Sequence, residues 1–100
     1  MGSLDINQAV IVVYSGHVQG VGFRYTVSRI VRDFDVTGYV MNRRDGSVQL
    51  VAEGDRRTLQ AFLEEIDASS LDPFIFGRDM NWGEASGQFK DFRIRYEGSC

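Results

Sequence analysis

The sequence predicts an α+β fold, a two-layer sandwich of the ferredoxin-like kind: two helices cover an antiparallel sheet, in the order β-α-β-β-α-β with an extra strand. Three patterns predict it. Runs rich in β-branched and aromatic residues stand at 8–14, 36–41, 47–53 and beyond Pro73. Two segments between them carry apolar residues at helical spacing. An Asp45-Gly46 pair separates the second and third runs and makes them a hairpin. One hundred residues are enough for one core, so one domain is expected at 8–97, with tails at 1–7 and 98–100.

The first strand, Gln8 to Tyr14, is almost continuously apolar, as a central strand covered by other elements would be. Phe23, Val27, Ile30, Val31 and Phe34 then form one helical stripe, and the helix should stop near Asp35. The second strand runs from Val36 to Met41. Asn42 to Gly46 carries the turn, where Gly46 supplies a positive φ. The third strand, Ser47 to Glu53, alternates Val48, Leu50 and Ala52 against Gln49, Val51 and Glu53. Gly54-Asp55 ends it, and Asp55 suits the N-cap of a second helix with the stripe Leu59, Phe62, Leu63 and Ile66. Ala68 to Asp72 reads as a loop, with Pro73 barring helix. Phe74, Phe76, Met80 and Trp82 share one parity of a fourth strand. Arg78 interrupts that face, and Gly77 predicts a bulge or an exposed edge. A last strand is expected from Phe89 to Tyr96.

Composition narrows the function classes. The net charge of −3 argues against a dedicated nucleic-acid binder. No apolar run approaches the about 20 residues of a membrane helix. The start Met1-Gly2-Ser3-Leu4-Asp5 has no signal-peptide pattern, which makes the cytoplasm the expected compartment. Cys100 is the only cysteine and His17 the only histidine, so a metal cage or a Cys–His nucleophile pair has little support. His17 reads as an exposed loop residue. Basic residues are nearly all arginine, with Lys90 the single lysine.

One stretch carries chemistry: Ser15-Gly16-His17-Val18-Gln19-Gly20-Val21-Gly22-Phe23-Arg24. A strand, a glycine-rich turn and a helix start place free N–H groups and the positive end of a helix dipole at one point, where an anion is welcome. Arg24 opposes that dipole, so it either points into water or awaits a ligand. The P-loop pattern of nucleotide hydrolases and the dinucleotide fingerprint are both absent. Asn42 is the second candidate: a turn residue bonding its own backbone, or an amide that positions a neutral molecule. Spacing alone does not bring Asn42 to Arg24.

The run Gly16-His17-Val18-Gln19-Gly20-Val21-Gly22-Phe23-Arg24 resembles the first signature of the acylphosphatases. Gly38-Tyr39-Val40-Met41-Asn42-Arg43-Arg44-Asp45-Gly46-Ser47-Val48 resembles the second, and Gly87-Gln88-Phe89 with Phe92 to Tyr96 is similar to the family's terminal strand. The likeness spans 8–97, a domain with the same sandwich fold. It implies hydrolysis of the carboxyl-phosphate bond of small acyl phosphates, giving carboxylate and inorganic phosphate. It implies that Arg24 grips the phosphoryl group, that the backbone of Gln19, Gly20, Val21, Gly22 and Phe23 shares the load, and that Asn42 orients the attacking water. No metal or organic cofactor is implied. The implied partner is a small acyl phosphate rather than nucleic acid or membrane, and the expected state is a monomer. Where similar sequences alternate Val and Asp, this chain has Phe74-Ile75-Phe76-Gly77-Arg78-Asp79. Tyr25 is expected to cover the helix start rather than border the site.

Two other readings stand beside that one. A domain of the same fold could bind phosphate or carbamoyl phosphate for regulation without catalysis. An RNA binder of the RRM type would display aromatic residues on central strands and a basic face; Val10-Ile11-Val12-Val13 and the negative charge speak against it.

Overall fold

The computed structural model describes residues 7–96. The expected tails at 1–7 and 98–100, Cys100 included, lie outside the described residues except for Asn7, which opens the first strand. Strand β1 (Asn7–Gly16) leads through the glycine loop into helix α1 (Phe23–Ile30). Strands β2 (Thr37–Asn42) and β3 (Val48–Asp55) form the hairpin. Helix α2 (Arg56–Asp67), strand β4 (Ile75–Glu84) and strand β5 (Phe92–Tyr96) complete the chain. The five strands form one sheet in the order β4-β1-β3-β2-β5.

The sheet is mixed rather than wholly antiparallel, because β5 pairs parallel to β2 (Val40 with Ile94, Asn42 with Tyr96). β4 and β5 sit on opposite edges, so residues 85–91 must carry the chain across. They pass β3 and β2 on the face away from the helices. The Glu53 carboxylate accepts from Ser86 N–H (2.9 Å), Ser86 Oγ (2.8 Å) and Gly87 N–H (3.0 Å) on the way. Burial alone would raise the Glu53 carboxyl; these three donors outweigh it and hold the group below its ordinary value. The crossing also corrects the expected start of the last strand. Phe89 lies outside β5, with its ring 5.9 Å from that of Tyr39. It explains, too, why β3 is buried on both faces, Val51 and Glu53 included.

The core lies between the sheet and the two helices. Val10, Val12 and Tyr14 of β1, Val40 of β2, and Val48, Leu50 and Ala52 of β3 meet Val27 of α1 and Leu59, Phe62, Leu63 and Ile66 of α2. Asp55 caps α2 as its sequence predicts, accepting from Thr58 N–H at 3.1 Å. The first helix is shorter than its stripe. Its last turn tightens to a 3-10 turn over Val31–Asp33, after which Phe34 is already extended (φ −131°). The Phe34 ring still packs on Phe62, 5.6 Å away, so the apolar period persists past the end of the helix. A second 3-10 turn, Asp72–Phe74, has Pro73 in its first two positions, where its missing N–H costs nothing.

β4 is an edge strand with a bulge. Ser15 pairs with Gly77 and Gly16 with Ile75, so Phe76 is the extra residue. Gly16 has a positive φ (125°), and any Cβ there would press on the Phe74 carbonyl oxygen and the Phe76 nitrogen. No helix among the described residues is long and apolar enough to cross a membrane.

Candidate active site

Strands β1, β2 and β5 run in one direction, each antiparallel to β3 or parallel to β2, so they end on the same edge of the sandwich. Their register makes a row across that edge: Tyr14 faces Val48, Val48 faces Asn42, and Asn42 faces Tyr96. The glycine loop leaves β1 above this row and delivers the start of α1 to it.

Local chemistry shapes the loop. Val18 is fully buried and Phe23 nearly so, with the Phe23 ring 5.0 Å from that of Tyr14; these two pin the loop at both ends. Burial, with Asp67 adding to it and Arg78 opposing, pushes the Tyr14 hydroxyl well above its ordinary value, so it is a structural group at any working pH. Between the two pins, Gly20 (φ 81°) and Gly22 (φ 77°) adopt the left-handed conformation that glycine accepts without strain. Gly22 caps α1 with no side-chain acceptor and no acidic residue in the first turn. The first helical bond runs from Thr26 N–H to the Gly22 carbonyl (2.9 Å), so the N–H groups before it face outward without a cap. α2, by contrast, starts with a side-chain cap from Asp55.

The hairpin supplies the other wall. Its five-residue turn closes through Arg43 N–H to the Ser47 carbonyl (2.8 Å) and Gly46 N–H to the Arg43 carbonyl (3.2 Å). Asp45 accepts from the Ser47 hydroxyl (2.6 Å) and N–H (2.9 Å), and these bonds hold its carboxyl below the ordinary value. Gly46 has φ 94°, as the Asp-Gly pair predicts. The turn therefore needs nothing from Asn42. Instead Asn42 Oδ1 is buried without a hydrogen-bond partner among the described residues, the only buried side-chain polar atom there in that state.

Loop and hairpin enclose a cleft of about 190 Å³ lined by Arg24, Asn42, Tyr96 and Tyr25, by Gly20 and Gly22, and by the apolar Val18, Phe23 and Ile94. An adjoining hollow shares Arg24, Asn42 and Tyr96 and adds Arg43 and Arg44. Arg24 has no carboxylate partner among the described residues; its guanidinium lies over the Tyr96 ring. A larger hollow of about 380 Å³ runs along α1 beside Thr26, Arg29, Ile30, Arg32 and Asp33. It is a groove on a helix surface with no unmet buried side-chain polar atom among the described residues, so the smaller cleft is the candidate site.

The structure thus brings Arg24 and Asn42 to one cleft, with Gly20, Gly22 and Phe23. Val21 packs its side chain against the core instead. The Gln19 side chain turns away to the hairpin and leaves only its backbone for an anion. Tyr25, expected to cover the helix start, lines the cleft and is 66% exposed. His17 is exposed, its ring edge-on to Phe76 on the β4 side.

A sequence profile of the acylphosphatase family matches residues 10–94. The chain belongs to the acylphosphatase family. An acylphosphatase of Caldanaerobacter subterraneus is 41% identical over 80 residues, covering 80% of this chain and 89% of its own length. The crystal structure of the Bacillus subtilis acylphosphatase superposes with a TM-score of 0.79 at 34% identity, covering 91% of this chain and all of that one. The fold also occurs inside a much longer protein. Full-length HypF, in its phosphate- and nucleotide-bound form, matches with a TM-score of 0.80 at 29% identity over 99% of this chain and 13% of its own.

In this acylphosphatase-family chain, sequence reasoning missed the placement of two side chains. One is Tyr96, whose place beside Asn42 depends on the parallel pairing of β5. The other is the Gln19 side chain. The even parity of Phe92, Ile94 and Tyr96 marked them as one face, but only the strand order shows that the face ends at the cleft.

Proposed function

We propose that this protein hydrolyses small acyl phosphates to carboxylate and inorganic phosphate, as the name of its relatives describes for them. The observation that carries the reading is the unmet, buried Asn42 Oδ1 in the cleft that Arg24 lines. A buried acceptor without a donor costs about 1–3 kcal/mol, so its persistence at a cleft wall points to a ligand donor. A water O–H is the smallest one that fits the chemistry.

The phosphoryl oxygens bind at the uncapped start of α1 and to the Arg24 guanidinium, where the helix dipole and a planar fork of donors favour negative charge. Asn42 Oδ1 accepts a hydrogen bond from the attacking water and so aims an oxygen lone pair at phosphorus. A P–O bond forms to that water as the P–O bond to the acyl group breaks. The pair of electrons leaves with the carboxylate, a stable anion, so no general acid is needed. The water proton passes to a phosphoryl oxygen. Backbone N–H groups and Arg24 neutralise the charge that develops on the equatorial oxygens, which is most of what such a reaction asks of a protein. The reading assigns no step to a metal or an organic cofactor. It also takes the protein as cytoplasmic, and as a monomer because one chain supplies both walls of the cleft.

Continuous hydrolysis of benzoyl phosphate, with EDTA present and inorganic phosphate as competitor, tests this. Arg24→Ala should lower turnover about a thousandfold and abolish competition by phosphate. Asn42→Ala should cripple turnover and leave phosphate competition intact. Absence of hydrolysis by the folded wild-type protein overturns the reading in favour of a phosphate-binding module.

A further inference from the structure

We infer that Gln19 is a positioning residue, a latch that fixes the distance between the phosphate loop and the water-holding Asn42. The inference rests on the proposed roles of the loop and of Asn42. Gln19 Nε2 donates to the Arg43 carbonyl (2.6 Å) and to the Ser47 carbonyl (2.9 Å), so both amide hydrogens cross from the loop to the hairpin. These two hydrogen bonds tie one wall to the other. They land on the residue directly after Asn42 and on the residue directly before Val48, the register partner of Asn42.

The hairpin does not require them. Both carbonyls already receive a hairpin donor, Arg43 N–H on Ser47 and Gly46 N–H on Arg43. Both walls have supports of their own as well. The loop is pinned by buried Val18 and Phe23, and Asn42 is laddered between β3 and β5. What Gln19 adds is the relation between them. The loop belongs to β1 and Asn42 to β2, and β3 lies between these strands, so the backbone ladder links the two walls only indirectly. In-line attack needs water and phosphorus held at a fixed separation, and a displacement of about 1 Å costs up to a hundredfold in rate. A side chain that bridges both walls bears on that separation and not on the affinity of the loop for phosphate.

Gln19→Met keeps the length of the side chain and removes both donors; Gln19→Asn keeps the amide on a shorter stem. Benzoyl phosphate kinetics, the inhibition constant for inorganic phosphate and urea unfolding are measured for both, for Asn42→Ala and for the Gln19→Met/Asn42→Ala double variant. Gln19→Met should lose about tenfold or more in kcat while the phosphate inhibition constant moves less than about threefold. In the Asn42→Ala background the same substitution should change kcat less than about twofold, because there is no longer a held water to misplace. Should Gln19→Met fold poorly, Gln19→Asn carries the same comparison. Wild-type kcat in the folded Gln19 variants, or losses that multiply with that of Asn42→Ala, overturns the latch; so does a loss confined to phosphate affinity. Wild-type turnover by Asn42→Ala overturns the underlying role of Asn42 instead, and is read separately.

Discussion

The Arg24 guanidinium lies over the ring of Tyr96, its central carbon 4.9 Å from the ring centroid. Tyr96 is 61% exposed, and it stands beside Asn42 in the strand register. An arginine at a helix start has the dipole against it, and the ring face compensates by holding the cation over the cleft. An exposed stack of this kind contributes about 0.5–1 kcal/mol. Tyr96→Leu should therefore weaken competition by inorganic phosphate about threefold, with Tyr96→Phe close to wild type. If Tyr96→Phe is impaired and Tyr96→Leu no worse, the hydroxyl and not the ring face is the active part.

Glu53 ties the crossing segment to β3 at the end of the sheet away from the cleft. Its carboxyl is held below its ordinary value, so the unfolded chain takes up a proton at higher pH than the folded one does. Its contribution to stability is complete above the unfolded value, near 4.5, and is lost as pH falls through the lower folded value. Glu53→Gln puts an amide donor where Ser86 and Gly87 also donate. Urea unfolding at pH 7 should show a loss of about 2 kcal/mol relative to wild type, narrowing as both proteins are taken below pH 4. A gap that stays constant down to pH 2.5 would show that packing, not charge, is what Glu53 provides.

Much of this protein is readable in its sequence because local rules and tertiary demands agree. The α2 stripe, its Asp55 cap and the Asp45-Gly46 turn all act over a few residues, and each stands where its pattern places it. Phe34 misleads for an instructive reason: its spacing continues the helical period, but the ring reaches Phe62 from extended backbone. Phe89 misleads in the same way, packing on Tyr39 from the crossing rather than from β5. The cleft divides along the same line. Arg24, Asn42 and the glycines announce themselves by motif. Their meeting, and the arrival of Tyr96, follow from three strands ending on one edge, a property of the strand order that no short spacing encodes. The amide of Gln19 sits inside the motif, yet its partners lie 24 and 28 residues away.

Two glycines separate backbone conformation from close packing. At Gly22 the φ is 77° and a Cβ would meet open space, so Gly22→Ala should fold and lose about 1 kcal/mol from strain alone. Its methyl group would also stand at the uncapped helix start, and phosphate competition should weaken. At Gly38 the φ is 137° and a Cβ would overlap the Val51 carbonyl oxygen, a backbone atom of a buried strand. Gly38→Ala should fail to fold or lose more than about 3 kcal/mol. Circular dichroism and urea unfolding decide both; equal losses at the two positions would mean that the β2–β3 ladder yields to the added carbon.

Asn42 offers the sharpest contrast between folding and function. Its buried Oδ1 has no donor among the described residues, and its neighbours across the strands are Val48 and Tyr96. Leucine has the same branched skeleton of four side-chain heavy atoms, the open cleft takes its larger volume, and it removes the unmet acceptor, so Asn42→Leu should leave the fold intact and raise its stability by about 1 kcal/mol. The same variant should be almost without turnover, because nothing remains to hold the water, while inorganic phosphate still binds at Arg24 and the loop. Urea unfolding and benzoyl phosphate hydrolysis on one preparation give both signs at once. A protein that loses about 1 kcal/mol or more instead would show that a group of the protein, and not water, donates to Oδ1, and the case for Asn42 as the water-holding group would then lose its structural ground.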